Sequence, residues 1–119
     1  MLDLVAKKLF LTKGIGVADD KLTSFEFALR SAGIAGTNIV LISSIFPPNA
    51  RLVPRKEGLK LIKPGQILFS IYSRNQANEP NRLISASVGI AQPKDRSKYG
   101  YLSESVSYTH LTLPTICSV

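Results

Sequence analysis

Two adjacent serines, Ser43 and Ser44, follow an apolar run and precede two prolines in the stretch LISSIFPPN, residues 41–49. A strand end is one explanation, because serine is common in turns and neither Pro47 nor Pro48 can donate to a ladder. A chemical explanation is that the hydroxyl of the second serine attacks the carbonyl carbon of the first. The residue types alone favour the strand end, so the surrounding sequence has to decide.

The composition is that of one soluble globular domain, with 119 residues, 45% of them hydrophobic and 19% charged. Apolar runs are far shorter than the ~20 residues that span a bilayer, and no signal-like start is present, so the sequence predicts a cytoplasmic protein. One cysteine and one histidine argue against a disulfide framework and against a zinc site. The net charge of +7 comes from scattered basic residues without interleaved aromatic residues, which argues against nucleic-acid binding.

The last stretch, residues 106–119, does not read like the rest of the chain. Residues Val106–Thr115 back-translate without a gap to a DNA string that matches a transposon-end adapter of sequencing libraries. We therefore hypothesise that residues 1–105 form a single domain that is incomplete at its C-terminus, and that residues 106–119 are an artefactual tail. His110 and Cys117 fall in this tail and are given no role.

Patterns of apolar residues predict the elements that position the serines. A helical stripe predicts a helix over Leu22–Ala32, capped by Thr23 or Ser24 and stopped by Gly33. Asn38–Ile45 is predicted to be a strand buried on both faces. The other predicted elements are a strand at Lys7–Lys13, a tight turn at Gly14 and Gly16, a short helix at Arg55–Ile62, and strands at Gln66–Ser73, at Leu83–Ala91 and from Tyr99 to Glu104.

This order of elements predicts an α/β fold, a layered sandwich of the αββα type with mixed or antiparallel sheets flanked by helices. One good helix is too little to cover the second face of such a sheet. Either a lost C-terminal helix or a neighbouring subunit must therefore supply the cover.

Two stretches carry a resemblance to a known family. They contain KLFLTKGIGVADDKLTSFEFALRSAGI and PGQILFSIYSRNQANEPNRLISASVGIAQPKDRSKYGYLSE, and the serine pair lies in the pattern N-x-V-x-I-S-S-I-F-P-P. From about residue 7 to Glu104 the chain resembles the pyruvoyl-dependent arginine decarboxylases. The resemblance implies a self-processing proenzyme that forms a homotrimer or higher assembly of α/β sandwiches, with active sites between neighbouring subunits.

The resemblance favours the chemical explanation for the serine pair. It implies that Ser44 attacks Ser43 and becomes a pyruvoyl group, which is the cofactor, with no metal and no pyridoxal phosphate. L-Arginine would form a Schiff base with this group, lose CO2 and leave as agmatine. Asn38 matches the family asparagine whose amide can donate to the developing oxyanion, and Glu104 the acid that returns a proton to the α-carbon. Residue types alone favour a turn asparagine and an exposed glutamate.

Substrate choice has a readable feature in the predicted helix. Leu22, Glu26 and Leu29 are spaced i, i+4 and i+7, so two leucines flank a carboxylate on one helix face. The methylenes of arginine could lie along the leucines while its guanidinium pairs with Glu26, where the family places an acidic side chain. The alternative is a surface ion pair between Glu26 and Arg30.

Three functions are therefore weighed. The first is the decarboxylase that acts on arginine. The second is a non-catalytic, truncated assembly subunit of the same fold. The third is a basic nucleic-acid binder, which the scattered charges disfavour. Neither nucleic acid nor a membrane is expected as a partner.

Overall fold

The computed structural model describes residues 3–79 and 82–110, with only the backbone of residues 108–110. In chain order, its elements are β1 (Lys8–Leu9), α1 (Lys21–Ala32), β2 (Asn38–Leu41), β3 (Ile45–Phe46), β4 (Arg51–Leu52), α2 (Arg55–Leu61), β5 (Ile67–Ser70), β6 (Arg82–Ala91) and β7 (Gly100–His110).

The strands of the described residues form two parallel pairs and one antiparallel sheet. β1 pairs with β4 and β2 pairs with β5, both in parallel, and the antiparallel sheet has the order β3-β7-β6. Parallel pairing and helices between strands confirm the predicted α/β class, with parallel and antiparallel pairing in separate sheets of the described residues.

Helix α1 forms as predicted and ends at Gly33, whose φ of 88° is the left-handed conformation that glycine adopts without penalty. Its predicted cap is wrong. Asp20 caps the helix and accepts from the backbone N–H of Thr23 at 2.8 Å and from its hydroxyl at 2.8 Å. These two hydrogen bonds hold the pKa of Asp20 below its ordinary value, because they stabilise the carboxylate.

The predicted strand Asn38–Ile45 is divided into β2 and β3. The chain leaves the parallel pair after Leu41 and joins the antiparallel sheet at Ile45. The prediction of burial on both faces is wrong, because Val40 and Leu41 are 41% and 58% exposed. In the described part of the chain, β2 has β5 as its one strand neighbour.

Other predicted elements differ in length. α2 is confirmed, whereas β1 and β5 are shorter than predicted and the two-residue β4 was missed. β7 continues past the predicted end at Glu104, and residues 106–110 pair with Arg82–Ala86. Of the predicted tail, residues 111–119, including Cys117, lie outside the described residues.

Gly14 and Gly16 do not form the predicted tight turn. They lie in irregular backbone against α1, where a Cβ on Gly14 would collide with the carbonyl of Ala28 and one on Gly16 with the carbonyl of Ser24. Both positions therefore require glycine, because the backbone approaches α1 closely there. Glu26 is part of the same helix.

The core of the described residues is small. Phe46, Ala50 and Leu102 form its centre, and Leu9, Ile71 and Ile90 pack around them. This centre joins β3 to β7, and Phe46 follows the serine pair by two residues, so buried side chains anchor the segment after the serines.

One side of the β2–β5 pair is apolar and uncovered, and we call it the open face. The parallel register sets Asn38 beside Ile67 and Val40 beside Phe69, and Ile42 follows on the same side. Ile67, Phe69 and Ile42 are 58%, 47% and 45% exposed. Exposed apolar side chains grouped on one face in this way are typical of a surface that is covered in the assembled protein.

Among the described residues, no helix is long and apolar enough to cross a membrane.

Candidate active site

The peptide bond between Ser43 and Ser44 lies at the crossing from one sheet to another. On the N-terminal side, the N–H of Ile42 donates to the carbonyl of Ser70 at 3.0 Å, which continues the β2–β5 ladder. On the C-terminal side, the N–H of Leu102 in β7 donates to the carbonyl of Ser44 at 2.8 Å. The bond is therefore held from both sides, while it belongs to neither sheet.

The reacting groups of the serine pair are accessible. Both residues are exposed, and within residues 3–79 and 82–110 neither hydroxyl has a hydrogen-bond partner. The carbonyl of Ser43 likewise has no partner there, in contrast to the carbonyl of Ser44. The Ser44 hydroxyl and the Ser43 carbonyl are therefore without partners, whereas the backbone on both sides of them is held by hydrogen bonds.

The segment after the serines is anchored as well. Phe46 is 2% exposed, and the N–H of Ala50 donates to the carbonyl of Pro47 at 3.3 Å. Asn49, with a φ of 60°, donates its N–H to the carbonyl of Arg96 at 2.8 Å. A buried aromatic ring and a closed turn thus limit how far Ser44 can move during an attack.

The structure does not bring Asn38 to the serine pair within one chain. Its side-chain amide donates to the carbonyl of Gly65 at 2.9 Å, at the far end of β2. Ser43 follows five residues later, beyond the end of β2 at Leu41, so the two residues are at most about 16 Å apart along the chain. Within one chain, the side-chain amide of Asn38 therefore bonds to Gly65 and not to the serine pair.

Glu104, in contrast, lies on β7, the strand that hydrogen-bonds to Ser44. It follows Leu102, the residue that bonds to Ser44, by two positions on β7, so the two side chains share a face and lie about 7 Å apart along the strand. Glu104 is exposed and its partner on β6 is Val88. The described residues thus leave its carboxyl group free to meet a bound molecule.

Helix α1 carries Glu26, the predicted substrate-binding carboxylate, and Glu26 forms the alternative ion pair with Arg30. Arg30 Nε lies 3.2 Å from Glu26 Oε1, and the two side chains are 65% and 45% exposed. An exposed pair of this kind contributes at most about 1 kcal/mol, so a second guanidinium can replace Arg30 at low cost. Leu22 is 78% exposed and Leu29 half-buried, which leaves apolar surface beside the carboxylate.

A connecting segment after β5, Tyr72–Asn75, contacts both elements that carry the predicted acids, and sequence reasoning missed it. The Tyr72 ring lies 6.0 Å from the ring of Phe25 in α1, and the Arg74 guanidinium lies 3.7 Å from that ring. Ser73 hydrogen-bonds to Ser105, the residue after Glu104. The sequence predicts only the end of a strand in this segment, and it contains no motif that indicates a contact with α1 or β7.

The described residues contain no group of three or more histidine, cysteine, aspartate or glutamate side chains that could hold a metal ion.

Comparison with known proteins gives one consistent result. A family model described as pyruvoyl-dependent arginine decarboxylase matches residues 8–114. A pyruvoyl-dependent arginine decarboxylase of Nitrosopumilus maritimus is 77% identical over 104 residues, which are 87% of this chain and 57% of the relative. One of Thermoplasma volcanium is 54% identical over 108 residues, or 91% of this chain and 59% of the relative.

A probable pyruvoyl-dependent arginine decarboxylase of Chlorobaculum tepidum is 54% identical over 107 residues, which are 90% of this chain and 59% of the relative. The chain therefore spans just under three fifths of the length of these curated relatives.

Proposed function

The chain belongs to the pyruvoyl-dependent arginine decarboxylase family, and on that premise we propose that it cleaves itself at Ser43–Ser44 and decarboxylates L-arginine to agmatine. The observation that carries the proposal is the state of this peptide bond. Its neighbours are hydrogen-bonded to two different sheets, whereas both serines are exposed and neither their hydroxyls nor the carbonyl of Ser43 has a partner among the described residues.

The cleavage follows from these groups. The Ser44 hydroxyl oxygen attacks the carbonyl carbon of Ser43, and the amide between the two residues becomes an ester. Elimination of the ester releases Ser43 as a free carboxylate and leaves dehydroalanine at position 44. Water then replaces the nitrogen of that residue, which leaves as ammonia, and a pyruvoyl group begins the second chain.

The residues at the junction fit such a group. An exposed end at position 44 is accessible to a substrate amine, and its own carbonyl is already held by the N–H of Leu102. When formed, the pyruvoyl group supplies a carbonyl that captures the α-amine of arginine and accepts the electrons released with CO2. Glu104 would supply the proton that the α-carbon then takes up, because it lies on β7 two residues after Leu102, whose N–H donates to Ser44.

Glu26 gives the site its preference for arginine. Its carboxylate pairs with the substrate guanidinium in place of Arg30, and Leu22 and Leu29 line the methylene groups. This exchange costs little because the Glu26–Arg30 pair is exposed and is screened by water.

Glu26→Gln is expected to raise the KM for arginine by about 10- to 100-fold, because a hydrogen bond to a charged group contributes about 1.5–3 kcal/mol. Self-cleavage should be unchanged, as the amide has the same shape and lies on a different element. Steady-state kinetics of CO2 release measure the effect. Unchanged kinetics for arginine would assign Glu26 to the surface pair with Arg30 alone.

We infer a homotrimer in which the open face is covered and active sites lie between subunits. Exposed Ile67 and Phe69 support a cover, and the distance between Asn38 and Ser43 supports a site completed by a second copy. Asn38, which lies at the edge of the open face, would then donate to the oxyanion of a neighbouring subunit. A cytoplasmic location stays a prediction of the sequence.

We define the extended chain as residues 1–105 followed by the C-terminal segment of the Nitrosopumilus maritimus relative. We expect it to be more soluble, to cleave faster and to produce more agmatine than the 119-residue chain. The reason is the open face, whose apolar area costs about 25 cal/mol per Å² in water and which the added segment and a neighbouring subunit would cover together. Sedimentation, denaturing gels and release of labelled CO2 from carboxyl-labelled arginine compare the two. Equal turnover of both chains would contradict this expectation.

The proposed function itself is tested by intact-mass analysis and by CO2 release, with the 119-residue chain and the extended chain in parallel. Two fragments that meet at the Ser43–Ser44 bond, the second carrying a pyruvoyl group, together with stoichiometric agmatine, are expected. A single uncleaved mass and no agmatine from either chain would overturn the proposal.

A further inference from the structure

The segment Tyr72–Asn75 has an alternating set of contacts. Tyr72 and Arg74 contact the Phe25 ring of α1, with the Arg74 Cζ 3.7 Å from the ring centroid. Ser73 and Asn75 instead hydrogen-bond to the backbone of the β6–β7 ribbon. The segment is therefore extended, with one side of it on the helix and the other on the strands.

The contacts on the strand side lie next to Glu104. The Ser73 hydroxyl donates to the carbonyl of Ser105 at 2.6 Å, and both residues are half-buried. Asn75 Nδ2 donates to the carbonyl of Ser107 at 2.9 Å and to that of Ser85 at 3.2 Å. Ser73 thus hydrogen-bonds to the residue that follows Glu104, and Asn75 hydrogen-bonds to β7 two residues further along.

The pairing of β7 with β3 ends before β7 reaches Glu104. β3 pairs only with Gly100 and Tyr101, and the hydrogen bond from Leu102 to Ser44 follows that pairing. Beyond this point the described residues leave β7 with β6 as its single strand partner. Glu104 is therefore bracketed by the Leu102–Ser44 bond before it and the Ser73–Ser105 bond after it.

We propose that Ser73 is a positioning residue for Glu104, so that its hydroxyl fixes the backbone from which Glu104 delivers the proton in decarboxylation. The inference rests on the proposed function. A proton donor must lie within hydrogen-bond reach of the atom that it protonates, and small displacements of a catalytic group reduce the rate steeply. A short, half-buried hydrogen bond one residue away restricts such displacement without contact between Ser73 and the substrate.

The test compares Ser73→Ala with Asn75→Ala in the extended chain, and both with the same variants of the 119-residue chain. Ser73→Ala is expected to lower kcat about fivefold and to leave the KM for arginine and the extent of cleavage unchanged, as fits the loss of one neutral hydrogen bond. Asn75→Ala, which removes the same type of contact further from Glu104, should keep kcat within about twofold. Ser73→Thr retains the donor and should keep kcat as well.

A double-mutant cycle with Glu104→Gln decides whether Ser73 acts through Glu104. Without the carboxyl group there is nothing to position, so Ser73→Ala should cause no further loss of kcat in that background. An additional fivefold loss there would overturn the proposal. So would equal losses for Ser73→Ala and Asn75→Ala, or a Ser73→Thr variant as slow as the alanine variant. Failure of the proposed function would appear separately, as absence of cleavage and CO2 release in the unsubstituted chains.

Discussion

Ser44→Ala is expected to abolish both self-cleavage and decarboxylation, which is the largest effect of any single substitution in this chain. The variant keeps the fold because Ser44 is exposed and its hydroxyl makes no hydrogen bond within the described residues. It keeps the hydrogen bond from Leu102 as well, since the backbone carbonyl of residue 44 accepts it. What it loses is the oxygen that attacks the carbonyl of Ser43 and leaves with Ser43 as a carboxylate oxygen when dehydroalanine forms; the ketone oxygen comes later, from water.

Ser43→Ala is the matched control for this experiment. It removes the neighbouring hydroxyl, also exposed, but keeps the carbonyl that is attacked and the nucleophile that attacks it. We expect this variant to cleave, and its second fragment to release CO2 from arginine. Denaturing gels and intact masses of both variants give the result. Cleavage of Ser44→Ala at the same peptide bond would show that another group is the nucleophile.

The position of this chemistry is readable from the sequence, whereas its surroundings are not. Ser43 and Ser44 follow an apolar run and precede two prolines, so an interruption of the strand is predictable from local preferences. The sequence does not reveal that the interruption is a crossing between two sheets. That fact depends on hydrogen bonds to Ser70 and Leu102, which lie far away along the chain.

Local competition explains the smaller errors. Thr23 and Ser24 are good capping residues, but Asp20 precedes them and accepts from the N–H and the hydroxyl of Thr23. The apolar run of β2 indicates burial, yet Val40 and Leu41 are exposed in the described structure. An apolar pattern predicts that a face will be covered, but not that the covering group belongs to the same chain.

For the predicted acids too, local geometry was predictable from the sequence and the tertiary contacts were not. The spacing of Leu22, Glu26 and Leu29 follows from helical geometry, and the helix forms where it was predicted. Its ion pair with Arg30 also follows from spacing, so both interpretations of Glu26 were available beforehand. The role of Ser73 was not, because its partner Ser105 is brought near only by the packing of the connecting segment on β7.

Glu104→Gln is expected to separate the two activities of the chain. Cleavage should proceed, because the groups that react in it belong to Ser43 and Ser44. Decarboxylation should slow by about 10²- to 10⁴-fold in kcat, the range for loss of a general acid, with little change in KM. Glutamine has nearly the same shape and keeps the side chain on the face of β7 that it shares with Leu102, but it has no carboxyl proton to give.

Glu57→Gln provides the matched control, since Glu57 is an exposed glutamate in the first turn of α2. It should behave like the unsubstituted chain in cleavage and in turnover. Gel analysis, intact mass and initial rates of CO2 release, measured in the extended chain and in the 119-residue chain, give both activities from one preparation. A Glu104→Gln variant with full turnover would place the proton donor elsewhere, and one that cannot cleave would assign Glu104 to processing instead. Slow turnover after complete cleavage is the result that a donor on the strand beside Ser44 requires.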